Sequence, residues 1–245
     1  MTADRARAAL VIVPTYNERE NLPVLVSGVL EHPNVNVLVV DDQSPDGTGA
    51  LADELSRQHP GRVDVMHRTA RRGLGRSYID GIAVAVQRPV DVICQMDADL
   101  SHDPRHLPSL IAATANADVA IGSRYVPGGA IVNWPKRRLA LSRFANAYIR
   151  TVTRLTPRDC TSGYRCWRRE ALAALTVDGF TSDGYSFLVE MLYAASRAGC
   201  RFAEVPITFV ERRLGQSKLS TGVLVESAIT PWRLVATKDA RARGR

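Results

Sequence analysis

Short β-branched runs alternating with segments of helical spacing constrain this chain more than any other feature. Ala9 to Pro14 and Val35 to Val40 are apolar runs bounded by turn residues, each followed by apolar residues at helical spacing, Leu22 to Leu30 and Ala50 to Leu55. Val63 to His67, Val90 to Met96 and Val119 to Ile121 read as further strands, with helices around Ser77 to Val86 and Pro108 to Ala115. Proline suits the first turn of the last helix, where a backbone N–H has no partner to lose. Strands separated by helices pair in parallel, and a parallel sheet is covered on both faces. The expected fold class is therefore α/β, a single Rossmann-like domain with a mainly parallel central sheet and helices on both faces.

The chain has 245 residues, 45% of them hydrophobic, enough to bury one full core, and no linker-like stretch divides it. The expected organisation is a disordered N-terminus over 1–8, one domain over 9–238 and a basic tail over 239–245. No apolar run is long enough to span a bilayer, and the apolar stretch in MTADRARAALVIVP is too short for a signal peptide. A cytoplasmic protein is the expectation. Cys94, Cys160, Cys166 and Cys200 form no C-x-x-C pair, which argues against structural zinc and for reduced, mostly buried thiols. A net charge of +7 asks for an anionic partner: nucleic acid, a phospholipid surface or a phosphorylated substrate.

The strand beginning at Val90 runs into two carboxylates at i and i+2, Asp97 and Asp99 in VDVICQMDAD. Alternate side chains on a strand share a face, so both acids can converge while the small Ala98 leaves room for a ligand. Two oxygen ligands without a neighbouring His or Cys suit Mg²⁺ or Mn²⁺ on a diphosphate. The first strand ends in PTYNE rather than in G-x-G-x-x-G, which argues against a nicotinamide or flavin enzyme; Gly73 and Gly75 supply only half that pattern. The second ends in DDQSPDGT, where Asp41 and Asp42 can accept hydrogen bonds from a base or ribose, or Ser44 and Asp46 can simply cap the next helix.

Taken together, PTYNE, DDQSPDGT and DADLSHDP resemble the strand ends of family 2 glycosyltransferases of GT-A fold, and most closely those of polyprenol (dolichol) monophosphate mannose synthases. The resemblance continues through IGSRY at 121–125, DCTSGYR at 159–165 and RRLGQSKL at 212–219, covering nearly the whole chain in order. It implies a metal-dependent inverting transferase that moves mannose from GDP-mannose to a polyprenyl monophosphate. It also implies roles for individual residues. Pro14, Tyr16, Glu18, Val40 and Asp42 would bind the guanosine part of the donor. Asp97 and Asp99 would hold Mg²⁺ or Mn²⁺ on its diphosphate, with Ala98 touching the donor through its backbone. Arg212 and Lys218 would close over the donor phosphates. Arg124, Arg138 and Ser142 would take the acceptor phosphate. Members often carry Gln two residues after the second Asp; this chain has Ser101, a weaker ligand.

VPGGAIVNWPKRRLALSR, after IGSRY, reads as a mobile loop entering a helix from about Leu139 to Leu155. On that helix Arg143, Arg150 and Arg154 form one stripe and Phe144, Tyr148 and Val152 another, a pattern compatible with an anionic membrane surface or with an ordinary solvated face. The segment from Thr221 to Thr237 contains Glu226, Pro231 and Arg233, too interrupted to span a bilayer. The expectation is peripheral association with the cytoplasmic face of a membrane, with room for a membrane-anchoring protein partner.

A phosphate monoester acceptor is already an anion near neutral pH, so no catalytic histidine is required, and His102 and His106 are expected to serve structure. The competing readings are a transferase with another donor such as UDP-glucose, a non-catalytic nucleotide-sugar binding module, and a nucleic-acid binder. The last lacks any recognised motif, and no nucleic-acid partner is expected.

Overall fold

Alternating strands and helices bring the ends of the expected strands to one edge of a sheet. In this computed structural model residues 7–70, 73–175, 180, 184–211, 226 and 228–236 are described. In chain order the elements are β1 (Ala9–Thr15), α1 (Leu22–Leu30), β2 (Val35–Asp41), α2 (Thr48–Gln58), β3 (Val63–His67), α3 (Leu74–Ala85), β4 (Val92–Gln95), α4 (Leu107–Ala113), β5 (Val119–Ser123), β6 (Ala130–Val132), α5 (Lys136–Thr153), β7 (Arg165–Arg168), α6 (Arg169–Ala173), α7 (Gly184–Arg197), β8 (Phe202–Pro206) and β9 (Thr208–Val210). A 3₁₀ turn at Pro104–His106 leads into α4.

Seven strands form one sheet in the order β3-β2-β1-β4-β7-β5-β8. All neighbours pair in parallel except those of β7, which runs antiparallel to both β4 and β5. The reversal places the N-terminal end of β7 between the C-terminal ends of β4 and β5, on the edge where β1 and β2 also end.

Side-chain alternation along the strands feeds two separate cores. Leu10, Ile12, Leu38 and Val40 face Tyr78 and Ile82 of α3 and Phe187 and Leu192 of α7. Val11, Val13, Val37 and Val39 face Leu25 and Val29 of α1, Leu55 of α2 and Leu107 and Leu110 of α4. Each such side chain contributes about 1.5–3 kcal/mol on burial, so the sheet is held from both faces. Helix α3 approaches β1 so closely that a Cβ on Gly81 would stand 2.7 Å from Ile12 Cγ2. The buried Trp167 indole N–H is paired, donating to Gln95 Oε1 at 2.9 Å.

The α/β class and the expected helices and strands are present, with ends shifted by a few residues. The segment after IGSRY differs from its reading as loop alone: Ala130–Val132 forms β6, paired in parallel with β9. Its three apolar residues satisfy their backbone there instead of in water. Of the expected N-terminal tail, residues 7 and 8 are anchored, the Arg7 guanidinium to the Thr114 carbonyl at 3.1 Å and the Ala8 amide to Asp91 at 2.9 Å. The basic tail at 239–245 lies outside the described residues. Cys94, Cys160 and Cys166 are buried and Cys200 is half-buried, as expected of structural thiols. Among the described residues no helix is long and apolar enough to cross a membrane.

Candidate active site

Three successive strand ends each turn through a left-handed residue that is not glycine: Asn17 after β1, Gln43 after β2 and Leu100 after β4, with φ of 61°, 58° and 61°. Such conformations cost on the order of 1 kcal/mol or more and persist only where neighbours enforce them. Here side-chain hydrogen bonds do so. The Asn17 amide donates to Ser44 Oγ at 3.1 Å, and the Ser44 hydroxyl donates to Asp41 Oδ1 at 2.6 Å. The Ser101 amide donates to Asp99 Oδ1 at 3.1 Å.

Among the residues expected to bind a nucleotide, Pro14 pairs with Val40 in the sheet, and Tyr16 and Glu18 follow on the adjoining turn. The Glu18 carboxylate accepts from the Asn21 side chain at 2.8 Å. Val40 sends its side chain into the core beneath α3, so any donor contact there runs through its backbone. Asp42 is buried, bonded to the Arg68 guanidinium and to the Gly73 amide at 3.0 Å. Arg68 also reaches Asp80 at 2.8 Å, and its Nη2 is buried without a hydrogen-bond partner among the described residues. Asp41 and Asp46 serve the turn. Asp41 accepts from Thr15 and Ser44, and Asp46 accepts from the Thr48 amide and hydroxyl at 3.0 and 2.6 Å at the start of α2. Burial works against the Asp46 carboxylate, but these bonds outweigh it and hold its pKa below the usual value.

Asp97 and Asp99 follow β4 at the same edge, with Ala98 buried between them. Two partners fix Asp97: the Tyr78 hydroxyl donates to Oδ1 at 3.0 Å, and the Asp97 amide donates to His102 Nδ1 at 3.1 Å. Burial, reinforced by the charge of Asp97, raises the Tyr78 phenol well above its ordinary pKa, so it remains a neutral donor. His102 is itself clamped, stacked on Tyr164 at 4.9 Å between ring centroids. Beside this pair Gly163 presents no side chain; a Cβ there would stand 3.4 Å from Asp97 Oδ2. No group of three or more His, Cys, Asp or Glu converges among the described residues, so the protein offers a two-carboxylate, all-oxygen set. That set fits Mg²⁺ or Mn²⁺ sharing its shell with substrate phosphate and does not fit structural zinc.

The residues expected to take an acceptor phosphate, Arg124, Arg138 and Ser142, gather around the end of β5. Arg124 is buried and bidentate with Asp159, through Nε and Nη2 at 2.7 Å each, and its Nη2 also donates to Thr161 Oγ1 at 2.8 Å. Its guanidinium lies 5.3–5.6 Å from the ring centroids of Tyr125, Trp134 and Phe209. Arg138 stacks over Trp134 at 4.0 Å and pairs with Glu211. Ser142 Oγ accepts from the Tyr125 hydroxyl at 2.7 Å. The Trp134 Nε1, enclosed by these groups, is buried without a hydrogen-bond partner among the described residues.

A single short segment connects the two halves. Asp159 holds Arg124 at its start and Gly163 abuts Asp97 at its end, four residues later and so within about 14 Å of chain. Asn146 of α5 binds the same segment, accepting from the Cys160 amide at 2.8 Å. Thus Asp97, Asp99, Arg124, Arg138 and Ser142 belong to one edge. Arg212 and Lys218 lie outside the described residues.

The sequence model of glycosyl transferase family 2 matches residues 10–176, which contain all of these strand ends. The chain belongs to glycosyl transferase family 2. It is 49% identical, over 99% of its length and 93% of the relative's, to a polyprenol monophosphomannose synthase from Mycolicibacterium smegmatis. It is 47% identical, over 96% of its length and 98% of the relative's, to an undecaprenyl-phosphate mannosyltransferase from Micrococcus luteus. Among solved structures, a glucosyl-3-phosphoglycerate synthase from Mycobacterium tuberculosis, in complex with Mn²⁺, UDP and phosphoglyceric acid, superimposes with a TM-score of 0.64 at 19% identity over 96% of this chain and 78% of that one. A mannosyltransferase from Pyrobaculum calidifontis in complex with GDP-Man and Mn²⁺ gives 0.57 at 18% identity over 97% and 78%. These likenesses carry the fold. This family 2 glycosyltransferase is an enzyme, and Arg68, Tyr78, His102, Trp134 and Asp159 contact the expected site residues; His102 and Asp159 sit inside motifs that gave them no part in the site, and no motif contains Arg68, Tyr78 or Trp134 as a site residue.

Proposed function

We propose that this glycosyltransferase moves a mannosyl group from GDP-mannose to a polyprenyl monophosphate, with inversion, giving a lipid-linked β-mannosyl phosphate. The observation that carries the reading is near-full-length identity of 49% and 47% to two relatives whose names specify that acceptor class and that sugar. The edge described above supplies suitable groups for both substrates.

In this reading Pro14, Tyr16, Glu18, Val40, Asp42 and Ala98 line the donor nucleotide, and Arg212 and Lys218 close over its phosphates. Asp97 and Asp99 are the residues that would hold Mg²⁺ or Mn²⁺, which when bound neutralises charge on the diphosphate. Tyr78 and His102 keep Asp97 in place by bonds to its carboxylate and amide. Arg124, Arg138 and Ser142 receive the acceptor phosphate. One of its oxygens bonds to the anomeric carbon as the bond from that carbon to the donor's β-phosphate oxygen breaks, and GDP leaves with the electron pair. The acceptor is already ionised, so the protein supplies positive charge and alignment rather than a strong base.

The lipid acceptor places the reaction at a membrane surface. Leu141 and Phe144 of α5 are 50% and 68% exposed, and Ile229 and Trp232 of the helical segment 228–236 are 57% and 60% exposed. The Tyr148 hydroxyl, donating to the Ala228 carbonyl at 2.7 Å, ties that segment to α5. We assign this apolar set to peripheral contact with the cytoplasmic leaflet, with or without an anchoring protein partner.

The deciding experiment is transfer of labelled mannose from GDP-mannose to a short polyprenyl monophosphate, with Mg²⁺ or Mn²⁺ and with chelator. Label is expected in the lipid phase, lost with chelator and lost in Asp97→Ala and Asp99→Ala. Transfer from UDP-glucose but not GDP-mannose would replace the donor. Binding of GDP without transfer to any lipid phosphate would leave a binding module in place of the enzyme.

A further inference from the structure

An open groove of about 660 Å³ lies beside the acceptor-side residues. One wall is the glycine turn from Tyr125 to Gly129, and the other is the face of α5 bearing Arg143, Ala147 and Arg150, with Arg158 also on the lining. The turn is seated tightly, since a Cβ on Gly129 would stand 2.7 Å from the Ser123 carbonyl oxygen. Arg154, grouped with Arg143 and Arg150 by spacing, does not line the groove; it is the left-handed C-cap of α5, with φ of 60°.

Arg143, Arg150 and Arg158 are exposed, and none forms an ion pair among the described residues. The acids that touch the backbone around Arg158 are engaged by other groups. Asp159 is bound by Arg124, and Glu204 accepts from the amides of Arg158 and Asp159 at 2.8 and 3.0 Å. Guanidinium groups gathered around one concavity repel one another unless an anion sits between them, and their planar forks match phosphate oxygens. Of the residues assigned to the acceptor phosphate only Arg124 is on the lining, where Asp159 and Thr161 engage its guanidinium, so the groove adjoins that set and draws its other arginines from elsewhere.

The position selects the source of the anion. At 100° per residue Ala147 on the groove wall lies about 60° around α5 from the exposed Phe144, with Leu141 and Tyr148 further round, so the groove opens at that margin toward the exposed apolar set and a headgroup seated there can direct its chains past it. We infer that the groove is a binding site for the phosphate headgroup of an anionic phospholipid, distinct from the polyprenyl acceptor. This rests on the membrane-surface reading above. Occupancy would orient α5 on the bilayer and present Tyr125, which bridges the groove to Ser142.

The test uses the full chain and vesicles without polyprenyl phosphate, either pure phosphatidylcholine or one-third phosphatidylglycerol. A groove variant, Arg143→Gln, Arg150→Gln and Arg158→Gln combined, is compared with a variant of equal charge loss on distant surface, Arg57→Gln, Arg88→Gln and Arg197→Gln. The groove variant is expected to lose about tenfold more affinity for phosphatidylglycerol vesicles than the control, since a diffuse field would weaken both alike. Binding to phosphatidylcholine should not change. Equal losses in the two variants overturn the site. Saturable binding of glycerol phosphate in solution, abolished by the groove substitutions and as tight as vesicle binding, assigns the groove to a soluble phosphate and overturns the lipid source. Circular dichroism melts of both variants are expected to match the parent because every substituted side chain is exposed. Transfer in detergent to a short polyprenyl phosphate should be retained by the groove variant. Failure of the parent in that assay counts against mannosyl transfer, and the vesicle comparison still decides the groove.

Discussion

The amide of Asp97 donates to Nδ1 of His102, five residues further along the same turn, at 3.1 Å. The acceptor nitrogen must be unprotonated for this bond, so Nε2 carries the ring's proton and the histidine acts as a brace for the carboxylate loop. His102→Phe keeps an aromatic ring against Tyr164 while removing the acceptor. Transfer is expected to fall about tenfold, equivalent to the roughly 1.4 kcal/mol of one such bond, with a higher Mn²⁺ requirement and unchanged GDP affinity in the absence of metal. Metal titrations of transfer and GDP calorimetry separate that outcome from general damage, which would weaken both.

Arg124 and Asp159 form a buried pair with side-chain exposures of 6% and 0%. Asp159→Ala leaves the guanidinium buried and uncompensated, for an expected loss of about 3–5 kcal/mol in urea denaturation. Replacing both residues with apolar ones should recover much of that stability while transfer stays absent. Recovery of transfer in the double variant would remove Arg124 from the acceptor site.

Trp134 has a buried indole N–H without a hydrogen-bond partner among the described residues, between Arg138 and Phe209. An anionic acceptor oxygen would satisfy it. Trp134→Phe preserves the aromatic packing and is expected to raise KM for the polyprenyl phosphate about tenfold, the scale of one hydrogen bond to a charged group, with kcat and GDP affinity little changed. An unchanged KM would make the indole a packing element only.

Asp118 joins β5 to β8 by accepting from the Arg201 amide at 2.8 Å, and this bond holds its carboxyl below the ordinary 3.8. Because the folded-state pKa is the lower one, the contribution is fully present above the unfolded value and is lost as pH falls through the folded one. Asp118→Asn should therefore cost about 1 kcal/mol at pH 7. Denaturation at pH 7 and below pH 4 checks this, the gap to the parent closing at the acid end.

The sheet and the acid pair were legible because their signals are local. β-Branched runs, turn residues and the i, i+2 carboxylates lie within ten-residue windows, and the structure places them as β1 to β5 and the edge beyond them. Boundaries shifted where side-chain bonds decide them, as in α2, which begins at Thr48 once Asp46 has taken its amide. The partners that hold the site were not legible. Arg68 meets Asp42 from 26 residues away, Tyr78 meets Asp97 from 19 and Arg124 meets Asp159 from 35, contacts created only when separate elements share an edge. The direction of β7 was equally hidden, because the four residues RCWR carry no period that distinguishes parallel from antiparallel pairing.

That reversed strand gives the enzyme two opposite threads at its working edge. Chain leaves the sheet after β4 to form the carboxylate turn, whereas chain enters the sheet at β7 after passing Asp159 and Gly163. Lengthening one turn therefore need not drag the other, yet the sheet sets the spacing between them. Under the proposed assignment, donor and acceptor preferences can diverge separately within this architecture while the gap that a sugar must cross stays nearly constant.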